Sequence, residues 1–389
     1  MREVDLRRRG RRRSSLASLA WQSFAPHGYP ESVKGEYFEY QVWDSVQGLC
    51  SYVRGVISTS AVLTASGVGS AEATASAAAL AWLARDGVGL IGSLAFSCAV
   101  GAKVDAELKR WRLFADAIND VGLSLEVAAP LVSRTPNDAA FVLLASLAAA
   151  CKTACGVAAG AAKAAISAHL ATSPRTVGDI AAKEAAQETA VTLVGILAGV
   201  LVVKAPYPLW IFFALTIAHA YCNWRAVACL RLATLNAARA TIAFDAYVRH
   251  RRVLAPKDVA EQEPVLLPLA STFARVDLGA QIPRDVAPKV RLFDDDRKFA
   301  LFVSKAGTRA VLAADATEMD ALRALFEAIA ATLRDVRNST AWRHLACTSS
   351  DEHLFGACCA ALAECGWDLS HPPLDVGPYR YHDGDRRND

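Results

Sequence analysis

Residues 189–224 read TAVTLVGILAGVLVVKAPYPLWIFFALTIAHAYCNW, and Lys204 is the only charged residue among them. The apolar runs on either side of it, Thr189–Val203 and Ala205–Trp224, approach the roughly 20 residues that a helix needs to cross a hydrocarbon core. The second run contains Pro208-Leu-Trp-Ile-Phe-Phe213, which is typical of a helix anchored at a membrane interface by aromatic side chains. This stretch predicts a pair of membrane helices.

Further apolar stretches precede this pair. Six such stretches lie at about 46–66, 77–101, 113–133, 138–160, 186–203 and 207–226. Each supplies roughly 18–25 residues of helix. We therefore expect a mainly α fold, a multi-span membrane bundle of about six helices.

Basic residues fall on every second connection between the stretches. They occupy the N-terminal tail and the connections near 103–112, 163–183 and 225–252, whereas the other connections are nearly bare. Cytoplasmic loops of membrane proteins carry such an excess of Lys and Arg. The pattern predicts that both termini lie on the inner, basic side.

Small residues predict close helix packing. Gly156 and Gly160, like Gly195 and Gly199, are four residues apart and so share one helix face. Without side chains, such a face lets the backbone of a neighbouring helix approach closely.

Composition changes near residue 250, after which charged residues return at the density of a soluble protein. We expect strands near 298–304 and 309–314 and helices near 317–336 and 351–365, hence a small C-terminal α+β module. The predicted segments are a basic N-terminal tail 1–27, a helical membrane domain 28–253, a linker 254–289, the module 290–378 and a polar tail 379–389. The Arg-rich tail is either a short organelle transit peptide or a basic segment beside a membrane.

Charged residues within the stretches are candidates for a polar interior, because a charge at membrane depth is costly unless it is paired or faces water. The alternative interpretation is that they pair across helices and only fix the bundle. These candidates are Asp44, Arg54, Arg85, Asp86, Asp116, Asp120, Lys183, Glu184 and Glu188.

The connection Gly101-Ala-Lys-Val-Asp105-Ala-Glu-Leu-Lys109-Arg110 has the spacing GxxxDxxxxR. It resembles the loop signature of major-facilitator transporters, whose Asp and Arg clamp helices that move during alternating access. The resemblance implies a helix-gating clamp of Gly101, Asp105, Lys109 and Arg110. Six spans would correspond to half of such a transporter.

Other classes of function find little support. The net charge is only +3, so the composition gives no signal for nucleic-acid binding. The histidines are scattered, and the motifs of hydrolases, zinc peptidases and phosphate-binding loops are missing. We predict no catalytic residue, no metal site and no cofactor.

Many short segments together resemble the root UVB sensitive (RUS) family, in order and spacing, from about residue 28 to 265. They include Gly28-Tyr-Pro-Glu-Ser-Val33, Tyr40-Gln-Val-Trp-Asp44, Leu49-Cys-Ser-Tyr-Val-Arg54, Arg85-Asp-Gly87, Lys109-Arg-Trp-Arg-Leu-Phe-Ala-Asp116, Asp179-x-x-x-Lys183, Gln187-Glu-Thr189 and Asn223-x-Arg225.

The resemblance implies a link to the UV-B response and to vitamin B6 homoeostasis, without an established enzymatic activity. It leads to two hypotheses: a transport-like or scaffold component of a membrane, or a soluble or peripheral module that binds or senses a B6 vitamer. Pyridoxal phosphate is considered as a cofactor only because of this family association. The expected partners are a membrane and a second copy or a family paralogue, and the expected location is a membrane, with plastid or mitochondrion as organelle alternatives.

Overall fold

The computed structural model describes residues 23–65, 87, 89–98, 103–133, 138–205, 208–265, 276–283, 293, 297–333, 342–345 and 349–381. Arg85, Asp86 and Gly101 lie outside these residues, as do most of the basic tail and parts of the linker and polar tail.

Long helices dominate the first part of the chain. They are α1 Tyr37–Ala65, α2 Gly89–Cys98, α3 Lys103–Ala106, α4 Leu108–Val132, α5 Ala139–Leu170, α6 Val177–Val203, α7 Pro208–Ala228, α8 Ala237–His250 and α9 Pro256–Ala260. A 3₁₀ turn, Pro174–Thr176, joins α5 to α6. The Asp138 side chain caps α5 by accepting a 3.0 Å hydrogen bond from the amide of Ala140, as expected for an N-cap aspartate.

Helices α1, α4 and α6 run parallel to one another, whereas α5 and α7 run antiparallel to them. Gln41 of α1 meets Glu184 of α6, and Tyr52 meets Gly195 further along the same pair of helices. The bundle therefore has two ends. We call the end at the N-termini of α1, α4 and α6 the docked end, because the C-terminal module attaches there, and the opposite end, at the α4–α5 and α6–α7 connections, the far end.

The C-terminal module contains β1 Val276–Leu278, β2 Phe299–Ser304, β3 Gly307–Leu312, α10 Glu318–Leu333, β4 Arg343–Leu345 and α11 Ser349–Glu364. The sheet order is β1-β3-β2-β4, with β1 parallel to β3 and the other pairs antiparallel. The predicted strands and helices of the module lie close to these bounds. Thr317 and Asp320 form the predicted capping box of α10, with each backbone amide donating to the other side chain at 2.8 and 3.2 Å.

Helix α8 completes the core of the module. Its Phe244 packs against Phe326 of α10, with ring centroids 5.1 Å apart, and against Phe355 of α11. The Asn236 side chain caps α8 and also donates to the carbonyl of Ala106 at 2.9 Å, which joins the module to the docked end. The two parts of the chain thus form a continuous structure.

The prediction of a six-span membrane bundle is wrong. Among the described residues, only Ala139–Leu170 and Pro174–Val203 are long and apolar enough to cross a membrane. Helix α4 carries six charged side chains, and α1 carries Glu39, Asp44 and Arg54, so their apolar stretches do not form uncharged spans. Helix α7 is shorter and has His219, Asn223 and Arg225 in its last half. What remains is a mainly helical chain with a small sheet and two candidate spans, α5 and α6.

Candidate functional site

Polar side chains form a seam between α1 and α4 at intervals of seven residues. Residues 44, 51 and 58 of α1 meet residues 112, 119 and 126 of α4, through Asp44–Arg112 at 2.8 Å, Asn119–Ser51 at 3.1 Å and Ser58–Glu126 at 2.8 Å. Parallel helices that repeat their contacts every seven residues keep the same faces together over several turns. The seam brings charged groups into the middle of the helical domain.

Three ion-pair layers lie along this seam. Near the docked end, Arg112 binds both Asp44 and Asp116. In the middle, Arg54 pairs with Asp120 at 2.6 Å and donates to the Thr216 hydroxyl at 3.1 Å. The third layer is given by Glu126, which accepts from Ser58 and, at 3.0 Å, from Lys152 of α5. We call these three layers the charged interior.

The middle layer is the most deeply buried. Arg54 is fully buried, and so is His219 of α7, whose Nδ1 lies 3.0 Å from the Asp120 carboxylate. A buried charge of this kind is tolerated only when it is paired and hydrogen-bonded. Asp120 therefore holds both a guanidinium and an imidazole in fixed orientations.

A second polar group joins α6 to the bundle. The buried Glu184 accepts hydrogen bonds from Gln41 of α1 at 2.8 Å and from Ser167 of α5 at 2.6 Å. One turn later, Glu188 pairs with Lys163 at 2.5 Å. The carboxylates that enter α6 are thus bound to both neighbouring helices.

Two cavities border the charged interior. One, of about 430 Å³, lies between α4 and α7, and its lining includes Asp116, Asp120, His219 and Asn223. The other, of about 620 Å³, lies between α1, α4, α5 and α6, on a different face of α4. Its polar lining includes Asn119 and Lys152, so the charged interior can be reached from both sides.

At the docked end, Lys109 and Arg239 share one carboxylate. Glu263 lies 2.9 Å from Lys109 of α4 and 2.8 Å from Arg239 of α8, and all three side chains are buried. Burial by itself raises the pKa of Glu263, but attraction by Arg239 and Lys109 outweighs it and holds that pKa below the ordinary value. This trio ties the C-terminal module to the helical domain.

The predicted clamp residues do not form one cluster. Asp105 lies exposed on α3, Lys109 pairs with Glu263, and Arg110 pairs with Glu107 at 3.1 Å. Gly101 lies outside the described residues. The gating role of this connection stays a prediction.

The other sequence-predicted residues divide into two groups. Asp44, Arg54, Asp116 and Asp120 belong to the charged interior, and Glu184 lies in the second polar group with Glu188 at its more exposed edge. Lys183 is half-buried on α6, and Arg85 and Asp86 lie outside the described part of the chain.

The two glycine pairs differ in their surroundings. A Cβ added to Gly195 or Gly199 would lie 2.6 Å from the Cβ of Tyr52 or Val56, so α6 touches α1 closely at both. Around Gly156 and Gly160, no described atom beyond the local helix backbone lies within 4 Å of such a Cβ. Only the second pair brings helices together within the described structure.

Sequence reasoning missed several residues of the charged interior. Arg112 could have been found by its i,i+4 spacing from Asp116, and Glu126 by the seven-residue repeat that it shares with Arg112. Two residues outside the charged interior were missed as well: Asn223 in the cavity lining and Glu263 at the docked end gave no comparable signal, because their surroundings are formed by residues distant in the sequence.

Comparison with known proteins decides the family. Residues 10–251 match the model described as the vitamin B6 photo-protection and homoeostasis domain, and residues 252–382 match the model for the C-terminal region of root UVB sensitive proteins. This chain belongs to the root UVB sensitive family. The predicted resemblance is thereby confirmed.

Relatives in the RUS family come from distant organisms. Protein root UVB sensitive 3 of Arabidopsis thaliana is 32% identical over 74% of this chain and 65% of its own length. RUS family member 1 of Dictyostelium discoideum is 35% identical over 68% of this chain and 51% of its own length. Protein root UVB sensitive 2 of Arabidopsis, described as chloroplastic, is 30% identical over 77% of this chain and 70% of its own.

The chain therefore spans less than two thirds of the length of the first two relatives. No solved structure matches it.

Proposed function

We propose that this RUS protein is a non-enzymatic membrane component of vitamin B6 homoeostasis, and that it handles a small molecule through its charged interior. The observation that carries the proposal is an inverted polarity: ion-paired charges lie inside the helical domain, beside its apolar clusters, while many of its large apolar side chains lie outside. A soluble helical domain has the opposite arrangement, with its apolar stripe facing the core.

The exposed apolar side chains concentrate in the half of the bundle nearer the far end. On α6, Leu197 is 61% exposed and Leu201 is 71% exposed, and on α7 Trp210 and Ile217 are 75% and 73% exposed. The most apolar part of α6 is only 11% buried, which is unlike the core helix of a soluble protein. A contiguous apolar surface of this kind marks a membrane or partner contact.

The docked end has the character of a membrane–water interface. Arg225 lies over the ring of Trp43 at 4.7 Å, and Tyr221 packs edge-on against the same ring. Tryptophan and tyrosine favour this depth, and basic residues favour the inner face. The proposal therefore places the docked end and the C-terminal module at the inner surface and the far half of the bundle in lipid, with α5 and α6 as its two spans.

The charged interior and its cavities favour a transport-like role over a purely structural scaffold, because polar groups inside an apolar domain mark paths or sites for polar molecules. The matched domain description supplies the link to vitamin B6. The second candidate is a peripheral module that binds a B6 vitamer. The 430 Å³ cavity supports this module as much as it supports the membrane component. The two candidates differ in whether the chain lies within the membrane or only at its surface.

Alkaline carbonate washing of membranes separates the two candidates. The proposal expects the protein in the pellet, whereas release into the supernatant would favour the peripheral module.

A pair of variants sharpens this test. Leu197→Arg places a charge on the exposed apolar face of α6 and costs roughly 3 kcal/mol inside a bilayer but little in water. We expect it to reduce the pelleted fraction. Met319→Arg is the matched control, because Met319 is an exposed apolar residue of the C-terminal module, at 38% exposure. Equal behaviour of the two variants would contradict a lipid contact at α6.

A further inference from the structure

The cavity between α4 and α7 contains two buried acceptors with no protein partner. His219 is fully buried and Asn223 is 3% exposed, and both side chains line the cavity. His219 Nε2 and Asn223 Oδ1 receive no hydrogen bond from any described residue. Because positions 219 and 223 are four residues apart on one helix, the two groups face the same space.

The tautomer of the His219 ring follows from its neighbour. An ionised carboxylate only accepts hydrogen bonds, so Asp120, which lies 3.0 Å from His219 Nδ1, selects the tautomer with hydrogen on Nδ1. In the neutral imidazole, Nε2 is then an acceptor. The residues that line the cavity thus include two acceptors without a described partner, and an unsatisfied buried acceptor costs roughly 1–3 kcal/mol.

The charges around the cavity add a second argument. Asp116 and Asp120 line the cavity, whereas Arg112 and Arg54, which pair with them, lie outside its lining. Arg110, a cation of the lining, pairs with Glu107. A cation is therefore the species that this surface favours.

The cavity walls define the body of the ligand. Phe114 and Trp224 flank the polar groups, and both are about 40% exposed. Aromatic faces attract ammonium groups and also cover flat apolar rings. The site combines acceptors, negative charge and aromatic surface.

We propose that this cavity binds a small aromatic amine in its protonated form. The ammonium group donates to His219 Nε2 and Asn223 Oδ1, and the ring lies against Phe114 and Trp224. The inference rests on the proposed function and deepens it, because it assigns the site to a vitamer that carries an amine and no phosphate.

Equilibrium dialysis of the purified full chain tests the site, with pyridoxamine as the probe. Benzylamine, which shares only the amine and the ring, should compete with pyridoxamine. Pyridoxal phosphate should not compete, because its phosphate would meet carboxylates and two acceptors. Competition by the phosphate compound as strong as that by benzylamine would overturn the proposal, as would a failure of the folded chain to bind pyridoxamine.

Variants at Asn223 test whether the ligand group next to this side chain carries a positive charge. Asn223→Leu removes the acceptor and should weaken pyridoxamine binding by about tenfold or more, while Asn223→Asp adds a negative charge and should strengthen it. Asn119→Leu is the matched control: it removes an asparagine from the other cavity, across α4, and should leave binding unchanged. Weaker binding by Asn223→Asp, in a chain whose circular dichroism is unchanged, would overturn the proposal, and so would an equal loss in Asn119→Leu.

The outcome is independent of membrane association. Binding by a protein that carbonate releases would reject the membrane proposal and keep the amine site. A protein that stays in the membrane pellet but does not bind pyridoxamine would keep the membrane proposal and reject the amine site.

Discussion

The contrast between the two glycine pairs allows a sharp prediction about how α6 packs. In Gly199→Ala the new Cβ would lie 2.6 Å from Val56 Cβ and 2.7 Å from Val56 Cγ2, about 1 Å closer than ordinary contact. Val56 is attached to the backbone of α1 at that carbon, so relief requires the two helices to separate. Overpacking of this kind costs roughly 1–3 kcal/mol.

At Gly160 the same substitution meets no described atom within 4 Å beyond the local helix backbone. There the gain in helix propensity dominates, and Ala stabilises a helix by about 1 kcal/mol relative to Gly. The propensity gain also applies at Gly199, where it offsets part of the steric cost. We expect Gly199→Ala to lower the free energy of unfolding by about 1–2 kcal/mol and Gly160→Ala to leave it unchanged or raise it slightly.

Denaturant unfolding of the purified chain, followed by circular dichroism, measures both variants. Equal stability of the two variants would refute the close contact between α6 and α1. Destabilisation by Gly160→Ala alone would show that the first pair, and not the second, packs against another helix.

Three further predictions concern charges and thiols. Lys152→Met removes an ammonium group from the buried Glu126 carboxylate and should cost roughly 2 kcal/mol in unfolding experiments, less than a fully buried pair because Lys152 is 35% exposed. Arg249→Met, at a surface pair, should cost under about 1 kcal/mol. Since the folded pKa of Glu263 is depressed, its contribution to stability is complete above the unfolded pKa of about 4.3 and is lost as the pH falls through the folded pKa. The stability advantage of the wild-type chain over Glu263→Gln should therefore shrink on acidification below about pH 4, and a pH-independent difference would count against the ion-pair trio. Maleimide labelling followed by mass spectrometry should modify the exposed Cys365 well before Cys359, because burial raises the pKa of Cys359 to about 11; the reverse order would contradict the packing of α11.

Local signals in the sequence predicted the C-terminal module well. Thr317 and Asp320, three residues apart, cap the start of α10. Gly307 follows the turn between the antiparallel strands β2 and β3. Such features depend on neighbours in the chain, so composition and spacing reveal them.

The number of spans was predicted wrongly because apolar stretches were counted together with the charges inside them. Asp116, Asp120 and Glu126 all lie within the third predicted stretch, and the structure places them on the face of α4 that meets α1. Asp116 and Asp120 were predicted as site residues, but Glu126 and the ion pairs were not, since pairing depends on the rotation of one helix against another. The seven-residue interval in both helices was the available signal.

Contacts between remote segments gave no signal at all. Glu263 meets Lys109 across 154 positions of sequence, from a segment whose composition predicts a linker. His219 is one of the scattered histidines of the sequence, and only the fold shows that its Nδ1 contacts Asp120 and that the residue lines a cavity.

The inverted polarity of the helical domain is the central claim, and quenching of tryptophan fluorescence by brominated lipid tests it most directly. Trp210 begins α7 at the far end and is 75% exposed, whereas Trp342 precedes β4 in the C-terminal module. With the chain reconstituted in vesicles, Trp210→Phe should remove a large part of the quenched signal, and Trp342→Phe should leave that part intact. Quenching that does not depend on Trp210 would contradict a lipid-facing exterior, and with it the proposed place of this RUS protein in the membrane.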